Sequence, residues 1–306
     1  MENDYIMPIR TFFDRLPELH PIPTGLLPSM KRGGPIEAVI FDIYGTLLIS
    51  SSGDIDAGTT SFQHVKKAFE LSGILLDKTL SGHQKEFYQG VVDLLEERIT
   101  ILHKAKKAAG IIYPEIDIRE VWLDVFRRLR KASGLPLPDH LQIQDVALVF
   151  EILSNPVYPM PGMIETLTRI HAQGLPTGII SNAQFYTPII MNYFITGQLE
   201  RTEYMPYFRK ELVIYSYKAH RGKPDIRLFD HIRSVLNQPF GIPASKVLYV
   251  GNDMLKDILP ARQVGFKTAL FAGDKRSLRL RERDPAIKNI QPDHIFTDLS
   301  QVHDLL

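Results

Sequence analysis

The stretch EAVIFDIYGTLLIS, residues 37–50, decides how the rest of the chain is read. The run from Ile36 to Phe41 is largely apolar and stops at Asp42, with Gly45-Thr46 close behind. That is the pattern of a buried parallel strand feeding a tight turn. Similar runs recur at Pro176 to Ile180 before Ser181-Asn182, Leu212 to Tyr215 before Ser216-Tyr217, Val247 to Val250 before Gly251-Asn252-Asp253, and Thr268 to Phe271 before Ala272-Gly273. Helical patterns separate them at about 164–173, 187–196, 226–236 and 254–264, the last closed by Gly265. Strands and helices that alternate in this way predict an α/β fold, a Rossmann-like parallel sheet wrapped by helices.

More than a hundred residues separate the first strand from the second, far beyond a usual crossover, and the pattern between them is helical. An inserted all-helical domain is expected there. Ile118, Val121, Trp122, Val125, Phe126 and Leu129 fall on one stripe of a helix with Asp117 as its N-cap. The basic runs Arg127 to Lys131 and HKAKKAAG at 103–110 read as solvated faces and helix C-termini rather than ligand surfaces. Ser50–Asp54 and Asn155–Pro161 are expected to be the two hinge strands. Residues 1–34, punctuated by prolines, form an arm; 35–52 and 156–306 form the core; 53–155 form the helical insertion.

With 306 residues, 44% hydrophobic and 23% charged, the chain has the composition of an ordinary soluble globular protein. Its 36 basic and 35 acidic residues leave a net charge of +1, so no global field favours nucleic acid or a membrane surface. The absence of cysteine excludes disulfides, thiolate catalysis and thiolate-bound zinc. No signal-peptide-like segment or run of about 18 apolar residues is found, so a cytoplasmic location is expected. Oligomeric state is not encoded in any pattern visible here.

Ligands of a doubly wound sheet bind beyond the carboxyl ends of its strands. Collected in chain order, the residues there are Asp42, Tyr44 and Thr46; Ser181 and Asn182; Lys223; and Asn252, Asp253 and Asp257. Each alone reads as turn or capping chemistry. Together they supply a carboxylate, a hydroxyl with an amide, a cation and an acidic pair, the complementary parts of one site. Three carboxylates within about 4 Å would repel by roughly 4 kcal/mol per pair at an effective dielectric of 20, so a cation is expected among them.

That order resembles the haloacid dehalogenase superfamily from about residue 36 to 303, with VIFDIYGTL as the first motif, GIISNA the second, SYKAHRGKPDIRLF the third and VLYVGNDMLKDILPARQVGF the fourth. The resemblance implies a helical cap inserted after the first motif, a small-molecule substrate and a covalent intermediate on Asp42. It implies catalytic roles for Asp42, Tyr44 and Lys223 and substrate contacts from Thr46, Ser181 and Asn182. Magnesium would be held by Asp42, the Tyr44 carbonyl, Asp253 and Asp257. Family phosphatases usually carry aspartate at the Tyr44 position, whereas the 2-haloacid dehalogenases carry tyrosine. Those dehalogenases work without metal, typically have Ser-Ser-Asn in the fourth motif and have an arginine early in the cap, yet this chain has Asp253 and no arginine between Thr46 and Arg98. A magnesium-dependent phosphatase of a small phosphorylated metabolite is therefore expected first. A 2-haloacid dehalogenase and a non-catalytic ligand- or partner-binding scaffold stand as alternatives. Substrate identity and the side chain facing the metal, Asn252 or Asp253, stay open, as does a possible role for Tyr113-Pro114-Glu115 and for His220 near the substrate.

Overall fold

A computed structural model describes residues 3–31, 33–53, 60–76, 83–202 and 205–306. Six strands form one parallel sheet in the order β5-β4-β1-β6-β7-β8. They are β1 (Ala38–Phe41), β4 (Thr177–Ser181), β5 (Val213–Tyr215), β6 (Val247–Gly251), β7 (Lys267–Phe271) and β8 (His294–Phe296). All four residues of β1 are buried, and their alternation divides the core. Ala38 and Ile40 join one cluster with Leu228, Phe229 and Ile232, whereas Val39 and Phe41 join the larger cluster on the other face. A central parallel strand is covered on both faces, which is why its sequence is uniformly apolar.

From β1 the chain runs outward on one side through β4 and β5, and on the other through β6, β7 and β8. The reversal of strand order therefore falls beside β1, and Asp42 follows it directly. Helices α6 (Met163–Ala172), α7 (Thr187–Thr196) and α8 (Ile226–Asn237) match the expected periodic segments within a residue or two. The stretch after β6 departs from the regular helix expected over 254–264. A π-turn spans Met254–Ile258, and the α-helical turn Leu259–Gln263 follows it. Pro260 has no N–H to donate to the carbonyl four residues earlier, which works against a regular helix through this point.

The sixth strand, β8, was not legible as a strand. It has only three residues and begins with the polar His294, too short for any period to show. Its outer edge is covered by the N-terminal segment, where Ser29 and Ile295 exchange backbone hydrogen bonds of 2.9 and 2.7 Å. Covering an edge strand in this way removes a template for intermolecular pairing. Earlier in that segment, helix α1 (Asn3–Phe13) buries Ile9 and Phe13 in the larger cluster.

Between the first two strands of the sheet lie β2 (Leu48–Ser50) and β3 (Val157–Pro159), an antiparallel pair, with four helices among the described residues between them. The pairing starts earlier than the expected 50–54 because the apolar Leu48 and Ile49 are the residues buried there; Asp54 lies outside the described residues. The helices are α2 (Phe62–Leu71), α3 (Gln84–Ala108), α4 (Ile118–Ser133) and α5 (His140–Ser154). Asp117 caps α4 by accepting from the Arg119 N–H, and Gly134 ends it in the left-handed conformation at φ +72°. Trp122, Phe126, Phe69 and Phe150 fill the space between these helices with ring contacts of 5.3–6.0 Å. No helix among the described residues is long and apolar enough to cross a membrane.

The Tyr113–Glu115 turn docks on the loop that carries Lys223. The Tyr113 carbonyl accepts from the Gly222 N–H at 2.9 Å, the Glu115 N–H reaches the His220 carbonyl at 3.3 Å, and the Glu115 carboxylate accepts from Ser216 at 2.9 Å. His220, at φ +55°, serves this junction through its backbone. Lys106 Nζ lies 3.5 Å from its ring.

Gly178 in β4 gives a direct test of the packing. An added Cβ would lie 2.4 Å from the Leu212 carbonyl oxygen and 2.7 Å from Ile40 Cδ1. Neither can retreat, since one is backbone and the other sits in a close-packed core. Gly178→Ala is expected to lower the unfolding free energy by about 1–3 kcal/mol in chemical denaturation. An unchanged midpoint would contradict this packing.

Candidate active site

Asp42 stands at the carboxyl end of β1, 5% exposed. Its N–H bonds to the Val250 carbonyl at 2.9 Å, so the sheet itself fixes the backbone. Its Oδ1 accepts from Ser181 Oγ at 2.9 Å and faces Lys223 Nζ at 2.7 Å. Ser181 closes β4, the neighbouring strand, which explains how a residue 139 positions away reaches the same oxygen. No protein donor among the described residues meets Asp42 Oδ2. A carboxylate held by two donors on one oxygen keeps the other for an electrophile.

Lys223 bridges two acids, since its Nζ is also 2.6 Å from Asp257 Oδ1. Burial alone would drive the ammonium towards neutrality, but Asp257 and Asp42 outweigh it and hold its pKa above the ordinary value. Asp257 is 1% exposed and fully engaged: Oδ1 also accepts from the Tyr249 hydroxyl at 2.9 Å, and Oδ2 accepts from the Asp253 N–H at 3.0 Å. Burial pushes its carboxyl up to about 6; Lys223 opposes the rise, while Asp42 and Asp253 add to it. The cation expected to relieve carboxylate crowding is thus supplied in part by the chain itself.

Asp253 departs from the ligand role that the resemblance implied. Its Oδ1 caps the π-turn by accepting from the N–H groups of Leu255 and Lys256 at 2.8 and 3.1 Å, and Arg281 Nη2 holds Oδ2 at 2.6 Å. Both oxygens are therefore taken. Among the described residues no three acidic or histidine side chains are gathered as a metal site. Asn252 occupies the more telling place. Its Nδ2 donates to the Ser277 carbonyl at 2.6 Å, which fixes the amide orientation because only an N–H can sit against that oxygen. The amide Oδ1 meets no donor among the described residues, and Asn252 lines the same pocket as Asp42. Asp42, Tyr44 and Asn252 line one pocket, and their carboxylate, main-chain and amide oxygens are hard donors of the kind magnesium takes; the oxygens of Asp253 and Asp257 are engaged by the chain's own donors.

Tyr44 lines the pocket, but its hydroxyl is bound to Thr187 Oγ1 at 2.9 Å. Burial, and secondarily the charge of Glu151, push its pKa far above the phenol range, with Asp42 adding and the Thr187 bond opposing. The phenol stays neutral at any working pH. Asn182 is also on the pocket wall, where its Oδ1 accepts from the Lys223 N–H at 2.7 Å and positions that loop. Thr46 is not brought to the pocket: it is fully buried, and its Oγ1 meets no partner. Substrate contact from Thr46 is therefore not what this geometry offers.

Four residues of the pocket wall had no counterpart in the sequence reading: Gly53, Lys256, Ser277 and Arg279. Three signals could have located them. Ser277 and Arg279 lie in the basic loop after β7, a strand end whose polar residues were not collected. Gly53 lies three residues beyond the end of β2. Lys256 lies inside the fourth motif, one residue before Asp257.

A family model described as haloacid dehalogenase-like hydrolase matches residues 36–265. The ribulose-1,5-bisphosphate 5-phosphatase of Halopiger xanaduensis is 27% identical over 188 residues, covering 61% of this chain and 72% of that protein. Haloacid dehalogenase-like hydrolase domain-containing protein 3 of Danio rerio is 27% identical over 137 residues, covering 45% of this chain and 48% of that protein. The crystal structure of 2-haloacid dehalogenase from Pseudomonas syringae pv. Tomato aligns with a TM-score of 0.51 at 19% identity, over 88% of this chain and 97% of that one. At that identity the likeness is one of fold.

Proposed function

The chain belongs to the haloacid dehalogenase-like hydrolases, and from that premise we propose that it is a magnesium-dependent phosphatase of a small phosphorylated metabolite, working through a covalent intermediate on Asp42. One observation carries the reading: the buried Asp42 carboxylate is fixed through Oδ1 by Lys223 and Ser181, which leaves Oδ2 for attack. The phosphatase named among the relatives supports the choice of phosphorus as the electrophile.

In the first step Asp42 Oδ2 attacks phosphorus, the ester P–O bond breaks, and the departing oxygen takes its proton from water. Water then attacks the aspartyl phosphate, releasing orthophosphate and restoring the carboxylate. Lys223 holds the nucleophile in place and offsets the negative charge that gathers around it. A magnesium ion bound by the Asp42 carboxylate, the Tyr44 carbonyl and the Asn252 side-chain oxygen would supply further positive charge to the oxygens of the transferring group. Residues 53–155 act as a cap over the core of 35–52 and 156–306, the docking of Tyr113–Glu115 beside Lys223 supporting that division.

Phosphate release from a panel of small phosphorylated metabolites, with and without magnesium, tests the reading. Turnover confined to magnesium-containing samples is expected. Absence of any turnover, or full turnover in chelator, would overturn it.

Tyr44 favours the second reading, dehalogenation, because a halide leaves without a proton and this phenol supplies none. Halide release from 2-chloropropionate in chelator is the outcome that would select it. Under the phosphatase reading Tyr44 is a packing residue, not an acid or base. Tyr44→Phe should keep kcat within about tenfold and lower stability by about 1 kcal/mol through the lost Thr187 hydrogen bond. A thousandfold fall in kcat in a stably folded variant would restore the phenol to the chemistry.

A further inference from the structure

Every carboxylate of the pocket already has a cation. Asp42 and Asp257 share Lys223, and Asp253 is held by Arg281. Arg279 lines the same pocket with a guanidinium that meets only neutral oxygens: the carbonyls of Arg276 at 2.6 Å, Leu278 at 3.2 Å and Gly53 at 3.3 Å. Among the described residues it pairs with no carboxylate. A guanidinium keeps its charge at every physiological pH, so Arg279 presents to the pocket a positive charge that is not engaged by a carboxylate among the described residues.

The side chain is also deliberately placed. The Arg279 N–H bonds to the Asn252 carbonyl at 3.0 Å, and its own carbonyl accepts from the Met254 N–H at 2.9 Å, so the backbone is pinned to the loop that carries Asn252 and Asp253. The guanidinium reaches from there to Gly53, just after β2. Gly53 has φ +80°, and a Cβ there would lie 2.1 Å from the Arg276 carbonyl oxygen and 2.9 Å from Arg279 Nη2. Only glycine admits this approach. Carbonyls alone hold this guanidinium, so its charge stays available to an anion in the pocket.

We propose that Arg279 reads a second anionic group on the substrate, a carboxylate or a second phosphate, carried on the same small molecule as the phosphoryl group that is removed. The phosphoryl half of this statement rests on the phosphatase reading; the charge selectivity does not. Arg279 is thus a specificity residue supplied by the core loop after β7.

The test compares propyl phosphate, 3-(phosphonooxy)propanoate and propane-1,3-diyl bisphosphate, which share a leaving group and differ in their second charge. Unmutated protein is expected to favour one or both doubly anionic compounds over propyl phosphate by about 10–100-fold in kcat/KM, the range of a charge-assisted hydrogen bond. The compound preferred identifies the second anion as carboxylate or phosphate. Arg279→Gln should reduce the preference to within about threefold, chiefly by raising KM, and Arg279→Lys should restore part of it. No preference in the unmutated protein, or an equal loss on all three compounds in Arg279→Gln, would overturn the proposal. Where none of the three is hydrolysed, the same ratios are measured as dissociation constants by titration calorimetry, and the phosphatase reading is left to the metabolite panel. Equal affinities there would overturn the role of Arg279 independently.

Discussion

Asp42→Asn is expected to abolish phosphate release, with kcat down by at least about a thousandfold. The substitution changes little but the nucleophile. An amide has nearly the shape of a carboxylate, and its oxygen can still accept from Ser181 and Lys223 in the positions now taken by Oδ1. What it lacks is the anionic oxygen that bonds to phosphorus. The fold should persist, because Lys223 keeps Asp257 at 2.6 Å and is not left as a lone buried charge. The variant also has one fewer acid in a crowded site. Its thermal midpoint should therefore stay within a few degrees of the parent, which separates lost chemistry from lost structure. Acid-quenched single-turnover reactions with radiolabelled substrate give the second readout: the parent retains label on the protein and the variant none. Residual turnover within tenfold of the parent would mean that Asp42 is not the group that attacks.

The parallel sheet and the strand-end residues were legible because both rest on short-range sequence rules. A buried parallel strand must be apolar throughout, and the residue that follows it lies at the ligand-binding edge, so Asp42, Ser181 and Asp253 could be collected before any coordinates were known. What those side chains do once collected was not legible, since it depends on partners far away in sequence. Asp253 read as one of an acidic pair facing a cation, and Arg281 takes it from 28 positions downstream. Tyr44 read as a choice between acid–base chemistry and its absence, and Thr187, 143 positions away, fixes its hydroxyl. Tyr249 is hidden for a different reason. Inside the apolar VLYVG it reads as core, and its ring is core, while its hydroxyl reaches Asp257 at 2.9 Å. Arg279 escaped because the loop after β7 has no period, so nothing local marks which of its charges the fold brings to Gly53.

Lys223→Met is expected to have the largest combined effect, on activity and on stability together. Lys223 is 5% exposed, and its ammonium lies between Asp42 and Asp257, at 2.7 and 2.6 Å. Methionine fills much of the same volume, so the loss is one of charge rather than of packing. Two buried carboxylates would then face each other with no cation of the chain between them. Breaking a buried ion pair by removing one partner typically destabilises by about 3–5 kcal/mol, roughly 5–8 °C in the thermal midpoint of a chain of this length. The pH dependence carries the sharper test. Without Lys223, the opposing influence on Asp257 disappears while burial and Asp42 remain, so its pKa rises further above the value of about 6 it has in the parent. A carboxyl whose folded pKa lies above its unfolded value of about 3.9 stabilises the fold most fully below that unfolded value, and loses the contribution as pH rises through the folded one. The deficit of Lys223→Met relative to the parent should therefore be smallest near pH 4–5 and grow towards pH 8, with magnesium absent from both samples. Activity should fall by at least about a hundredfold at every pH, because the nucleophile loses the donor that orients it. A deficit independent of pH would mean that Asp42 and Asp257 do not depend on Lys223 for their charge, and the ion-pair bridge would then not be the feature that organises this site.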